Sequence, residues 1–237
     1  MALRLSGGVR QFFELKRRGE RRLAQKAGNR KPETASCKQG SRSAKEGPGM
    51  YIRKATENDI PRQNVIFAKA RAFMAEHGNP DQWGPDGWPP ESVIRDDVLN
   101  GKSYVTVDGD GTVCGTFYFD FGNEPEQAYK DLKGGSWISG APYGVVHRIA
   151  ADPPGKGTGE FCLRWAIAQS NGHLKIDTHP ANRPMRALLT KTGFSERGTV
   201  MIGGTKKRIA FEFEGELPAK VAAGVQERDE TDESRGD

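Results

Sequence analysis

The chain has 237 residues, 35% of them hydrophobic, and a mean hydropathy of −0.70. That length fits one or two domains, and that polarity implies that part of the chain does not pack. No run of about 18 apolar residues and no secretory signal is visible, and Cys37, Cys114 and Cys162 lack metal-ligand spacing, so the composition argues against a membrane span and a metal site and for a reduced, cytoplasmic setting.

The net charge of +5 is unevenly spread. Residues 1–49 hold 13 basic against 4 acidic side chains, and residues 217–237 hold 3 against 6, so the stretch between them is close to neutral. The opening "MALRLSGGVRQFFELKRRGERRLAQ" has the makings of a basic amphipathic helix. The Gly-, Ser- and Lys-rich segment after it has too little apolar surface to offset the entropy of ordering. Residues 1–49 are read as a disordered basic arm, 50–216 as the folded domain and 217–237 as a disordered acidic tail.

The body opens on a short strand at 51–54. A helix follows, which Thr56 or Asp59 can cap and Pro61 can start, with Ile66, Phe67, Ala70, Phe73 and Met74 at helical spacing and Gly78 at its end. The loop "NPDQWGPDGWPP" carries Trp83 and Trp88. A short helix, "ESVIRDDVL", stops at Asn100-Gly101. Two β-rich runs around Asp108-Gly109-Asp110-Gly111 predict a hairpin. "PYGVVHRIAA" predicts a strand, "GEFCLRWAIAQSNG" a largely buried helix, and "HLKIDTH" another strand. "PANRPMRALLTKTG" predicts a helix with Met185, Leu188, Leu189 and Thr192 on one face, and two β-runs predict a last hairpin. The strand–helix–strand order implies a mixed α/β sheet with helices on its faces.

Between "VHRIAA" and the buried helix stands "DPPGKGTGE". A strand, a glycine-rich turn and a helix start make an anion site. Backbone N–H groups point into the turn, glycine lets a phosphate approach, and the helix dipole favours negative charge. Lys156 adds a cation and Thr158 a hydroxyl. The spacing fits neither G-x-x-x-x-G-K-[ST] nor G-x-G-x-x-G. A plain tight turn into a helix is the alternative.

"VHRIAADPPGKGTGEFCLRWAI" followed by "LKIDTHPANRPMRALLTKTGF" looks like the core of the GNAT superfamily of acetyl-CoA-dependent N-acetyltransferases. Gly157-Thr158-Gly159 matches the family's G-x-G, and Asn182, Met185, Leu188, Gly193 and Phe194 match its second helix. The opening "YIRKATENDIP" is also common in this fold. The resemblance covers about residues 50–214 and implies a twisted mixed sheet flanked by helices, with acetyl-CoA as cosubstrate and no metal. Two positions depart from the pattern. The family's Arg or Gln before the glycines falls on Pro154, and its frequent catalytic Tyr falls on Leu189.

The resemblance further implies that the backbone at Ile149 and Ala151 binds the pantetheine arm and the thioester carbonyl, that 173–179 splays away to admit it, and that Gly155, Lys156, Gly157, Thr158 and Gly159 hold the pyrophosphate, with Asn182 nearby. An amine would attack the thioester directly, so it must be neutral. His147 is the candidate base. Strand alternation puts it on the face of Ile149; a packed core histidine is the alternative. Trp83 and Trp88, beside Asp81 and Asp86, suit a cationic amine with an apolar body, or cover the core edge. Asp177 and His179, at the end of their strand, can orient the base, bind substrate or cap the next helix. His77 and His173 are read as surface residues. The expected partner is a small-molecule or peptide amine, with the protein a monomer or homodimer and no membrane partner. Two other readings remain: a non-catalytic acyl-CoA-binding protein with a degenerate GNAT fold, and a nucleic-acid-binding module acting through the basic arm.

Overall fold

The computed structural model describes residues 49–84 and 86–216. The expectations for the basic arm and the acidic tail lie outside the described residues. Chain order is β1 (Tyr51–Lys54), α1 (Ile60–Glu76), α2 (Glu91–Leu99), β2 (Ser103–Val107), β3 (Val113–Gly122), β4 (Tyr143–Ala151), α3 (Thr158–Gln169), β5 (His173–Thr178), α4 (Arg183–Lys191), β6 (Ser195–Ile202) and β7 (Lys206–Glu214). The strands form one seven-stranded sheet, ordered β1-β2-β3-β4-β5-β7-β6. Every neighbouring pair is antiparallel except β4 and β5.

Local sequence explains most element ends. Thr56 and Asp59 form a capping box on the turn that leads into α1, and Gly78 closes that helix in the left-handed region at φ 76°. The β2–β3 turn is tied by Asp108, whose Oδ1 accepts from the N–H groups of Asp110 and Thr112. Trp165 of α3 is buried against the rings of Tyr104, Phe117 and Phe119, so α3 seats on one face of the sheet. The opposite face receives α1 and α2 around Ile60, Ile66, Phe67, Ile94 and Ala150.

That second face also takes a segment whose role the sequence did not disclose. Between β3 and β4 the chain makes a 3-10 turn at Gln127–Asp131 and buries Tyr129 against Tyr143, Val145, Val200 and Ala210. His173, expected on the surface, is buried there at 5% exposure. Its Nε2 lies 2.8 Å from Glu212 Oε1 and its Nδ1 3.1 Å from the Pro142 carbonyl. A strand-edge histidine reads as polar, but the incoming segment covers this one. His77 is exposed, as expected.

Two irregularities in β4 shape the space beside it. Tyr118 faces His147 and Thr116 faces Ala150, so two residues of β4 oppose the single Phe117. This is a β-bulge, with Arg148 at φ 53°. Ile149 consequently packs with the cluster that holds Val146 and α3, while Ala150 packs with α1. His147 lies with Tyr118 and Tyr129 instead. The expectation that His147 and Ile149 share a face is corrected, because the extra residue breaks the alternation. The second irregularity is that β4 and β5 pair only at Gly144–Leu174 and Val145–Lys175. Beyond Val145 the two strands part.

Candidate functional site

The opening between β4 and β5 is the inner wall of a cleft of about 590 Å³. His147, Ile149, Ala151 and Pro154 line it from β4 and the loop after it, and Ile176, Asp177 and Thr178 from β5. Gly155, Gly157 and Gly159 line one end, and Trp83, Trp88, Glu126 and Arg208 line it as well.

At the glycine end, Gly157 is the N-cap of α3 at φ 89°, and Gly155 has φ 79°. A Cβ added at either would meet nothing within 4 Å. The loop is therefore open on its outer side, and the first turn of α3 has unpaired N–H groups there. These are the features of a phosphate cradle. Thr158 departs from expectation. It is 4% exposed, and its hydroxyl turns toward Cys114 Sγ (4.0 Å) and Met50 Sδ (3.9 Å), away from the cleft. Only its backbone is left for the cradle, because its β-branched side chain fills space beside Gly115. Lys156 is exposed and does not line the cleft.

Asn182 lines the cleft, but its side chain is already engaged. Oδ1 accepts from Met185 N at 3.1 Å, capping α4, and Nδ2 donates to Gln82 Oε1 at 2.8 Å. It joins α4 to the tryptophan loop. Leu189 is fully buried in the core, so α4 presents no acid from that position.

The polar centre is built around His147. Its Nε2 is 3.0 Å from Glu126 Oε2 and its Nδ1 is 3.9 Å from Asp177 Oδ1. The hydrogen bond from His147 holds the Glu126 carboxyl below its ordinary value, and burial opposes this less strongly. With Glu126 ionised, Nε2 is the donor of this pair; in the neutral ring that tautomer has its lone pair on Nδ1. Asp177 accepts from Tyr129 Oη at 2.9 Å, and Arg208 Nε stands 3.8 Å from its other oxygen. Burial raises the pKa of Asp177 despite His147, Tyr129 and Arg208. Burial likewise lowers that of Arg208. The bulge is fastened from outside, since Arg148 donates to Asp97 of α2 at 2.9 and 2.7 Å and lies over the Tyr118 ring.

Trp83 packs edge-on against Phe67 while lining the cleft, so it serves the core edge and the wall together. Trp88 is more exposed and has Lys206 over its ring at 5.6 Å. Asp81 and Asp86 are exposed and do not line the cleft. The expectation that they flank a cationic amine is corrected: the carboxylates that line the cleft are Glu126, Glu160 and Asp177. His179 does not line the cleft either; its Nδ1 accepts from Ala181 N at 3.2 Å, so it caps the turn into α4. Burial, with Arg208 nearby, lowers its pKa.

Sequence reasoning singled out His147 and the glycines, which line the cleft, and did not single out Glu126, Gln82 and Arg208, which line it too. Glu126 had one local signal, its carboxylate capping the 3-10 turn through Ala128 N at 3.0 Å. Arg208 reads as the solvent side of an alternating strand.

No known family profile matches the chain, and no curated protein does. Solved structures do. An acetyltransferase of the GNAT family from Streptococcus agalactiae is 28% identical, with a TM-score of 0.59 over 71% of this chain and 96% of that one. One from Listeria monocytogenes is 17% identical, with a TM-score of 0.51 over 71% and 95%, and it supports the fold alone. With the parted β4 and β5 and the glycine turn at the start of α3, these likenesses give the chain the fold of the GNAT acyltransferases.

Proposed function

We propose that the protein is an N-acetyltransferase that moves the acetyl group of acetyl-CoA to an amine by direct attack. The observation that carries this reading is one cleft that holds an open glycine turn, a strand edge without a ladder partner, and a histidine with one ring nitrogen on a carboxylate and the other beyond hydrogen-bond distance of its neighbour. The acetyl donor is carried over from the name of the Streptococcus agalactiae relative.

In this reading the backbone N–H groups of 155–159 hold the pyrophosphate, with Lys156 at the rim. The backbone at Ile149 and Ala151 aligns the pantetheine arm along the free edge of β4, and Asn182 keeps α4 and the tryptophan loop together beside it. The bound thioester supplies the acetyl group: the amine nitrogen bonds to the acetyl carbon, the C–S bond breaks, and sulfur leaves as thiolate. His147 Nδ1 takes the proton that the amine gives up, while Glu126 orients the ring and balances its charge. Asp177 stands 3.9 Å from Nδ1, beyond hydrogen-bond distance. Leu189 is apolar and α4 carries no acidic side chain, so the thiolate takes its proton from water or from a group outside α4. Trp83 and Trp88 form the apolar wall for the acceptor.

The test is release of free thiol from acetyl-CoA across a panel of amines. A non-catalytic acyl-CoA-binding protein would bind the cosubstrate by calorimetry and release none. Gly157→Asp puts a side chain and a negative charge into the cradle, at a φ that disfavours any side chain. It is expected to weaken acetyl-CoA binding at least about tenfold. Unchanged affinity in the folded variant would remove the phosphates from this loop.

A further inference from the structure

Two cations of the cleft, Arg208 and Lys206, have no carboxylate within hydrogen-bond distance among the described residues. Arg208 has 11% of its side chain exposed. Its Nη1 and Nη2 donate to the carbonyls of Lys207 and Gln82 at 3.3 and 3.4 Å, and its Nε is 3.8 Å from Asp177. Among the described residues these are its polar contacts, and all are long for a hydrogen bond. A guanidinium offers five donors in a fork that matches a carboxylate. Lys206 lies over Trp88 and has no carboxylate within 4.0 Å among the described residues. Other cations of the cleft are paired: Lys69 with Asp152 at 2.9 Å, Lys191 with Glu160 at 2.6 Å, Arg148 with Asp97 at 2.7 Å.

Position adds to this. Asp177 pairs with Ala210 across β5 and β7, and Ala210 packs with Tyr129. Alternation then puts Arg208 on the same face as Asp177, which is the face of His147. A single carboxylate separates His147 Nδ1 (3.9 Å) from Arg208 Nε (3.8 Å). That is a short span between the imidazole and a guanidinium whose own contacts are all 3.3 Å or longer. A second positive charge on the acceptor would meet Arg208 and Lys206, and Lys206 already covers the Trp88 ring.

We propose that the acceptor carries a carboxylate next to its amine, a free α-amino acid in the simplest case. Arg208 and Lys206 take the carboxylate, the amine faces His147, and the side chain lies against Trp83, Trp88, Phe73 and Met74. This rests on the acetyl-transfer reading above, and the experiment separates the two.

Matched pairs of acceptors, such as phenylalanine with phenethylamine and leucine with isopentylamine, are compared with the full chain and acetyl-CoA. The amino acid is expected to exceed its amine at least tenfold in kcat/KM. Arg208→Gln should cut that ratio at least tenfold through KM for the amino acid. Lys206→Gln, at a more exposed site, should cut it about two- to threefold. Calorimetry of each acceptor against the CoA-loaded protein reads the same preference without turnover, and melting of each variant checks its fold. Turnover with ratios near one, or ratios that Arg208→Gln leaves unchanged, would overturn the carboxylate subsite and leave acetyl transfer standing. Carboxylate-dependent binding without thiol release would do the reverse. Neither binding nor turnover would sink both.

Discussion

Two histidine–glutamate pairs stand on one face of the sheet. At the start of β5, His173 has both ring nitrogens against oxygen, its side chain is 7% exposed, and Glu212 beside it is fully buried. Glu212 also accepts from Ile138 N at 2.6 Å and lies within 4 Å of Lys175 and Arg197. On β4, His147 has one nitrogen on Glu126, the other 3.9 Å from Asp177, and 21% of its side chain exposed in the cleft. The residue types are nearly the same, and saturation distinguishes them. A ring whose nitrogens are both committed pins a segment in place, whereas one with a free lone pair beside a cavity can move a proton. Glu212, with the aromatic rings of Trp137 and Tyr143 on Lys175, anchors the β3–β4 segment. That same segment delivers Glu126 to His147.

The sharpest way to break the comparison is to empty the buried pair. Glu212→Ala leaves Lys175 and His173 buried without their carboxylate, and should cost about 3–5 kcal/mol. For a domain of this size that lowers Tm by roughly 6–20 °C in thermal melts. The loss should depend on pH. Burial pushes the Glu212 pKa up, but His173, the Ile138 N–H and Lys175 hold it below its ordinary 4.5. A depressed carboxylate stabilises fully above its unfolded pKa, and that stabilisation is lost as pH falls through the folded value. The gap between parent and variant should therefore be widest above pH 4.5 and close in stronger acid. A gap that stays constant would mean that packing, not charge, holds the segment.

At the other pair the same kind of change should strike rate and spare the fold. His147→Ala is expected to lower kcat by a factor on the order of 10²–10³ with acetyl-CoA affinity retained. Its Tm should move by no more than about 2–4 °C. An unchanged pH–rate profile would put the base elsewhere. Glu126→Gln keeps an acceptor for Nε2 but removes the charge, and should lower kcat about tenfold. If the two variants together lose as much as the separate losses combined, the residues do not act as a unit.

Asp177 should give the smallest effect on stability. Burial raises its pKa above the ordinary 3.8. Its protonated form is favoured by folding, so that contribution is lost as pH rises through the folded pKa. Asp177→Asn keeps an acceptor for Tyr129 and sheds the buried charge. Its Tm at pH 7 should equal the parent's or exceed it by about 2–4 °C, roughly 1 kcal/mol. Below pH 3.8 the two should melt alike. A clear loss at pH 7 would show that Arg208 and His147 more than repay the burial of that charge.

The elements and the glycine turn were legible because their signals are local. The Thr56 and Asp59 cap, the Asp108 turn, Gly78 and the Gly155–Gly159 run each act within a few residues, whereas Asn182 was read only as a cofactor contact and not as the cap of α4. His147 could be picked out on its own strand for the same reason. Glu126 comes from 21 residues away, and Gln82 reaches Asn182 across 100. Nothing in the sequence marks such pairs, because long-range neighbours depend on how the sheet orders its strands.

By itself the sequence determined which segments form strands and helices, where the helices start and stop, and where a glycine turn leads into α3. Those follow from side-chain periodicity and from glycine and proline, whose backbone preferences hold in any context. Tertiary structure decided which histidine stays open. It put one extra residue into β4, so that His147 turned from Ile149, and it let β4 leave β5 after Val145. It turned the Thr158 hydroxyl inward and folded the β3–β4 segment over His173. The physical reason is that saturation is a property of surroundings: an imidazole is held on both nitrogens or left open on one according to what the rest of the chain brings within about three ångströms of its second nitrogen.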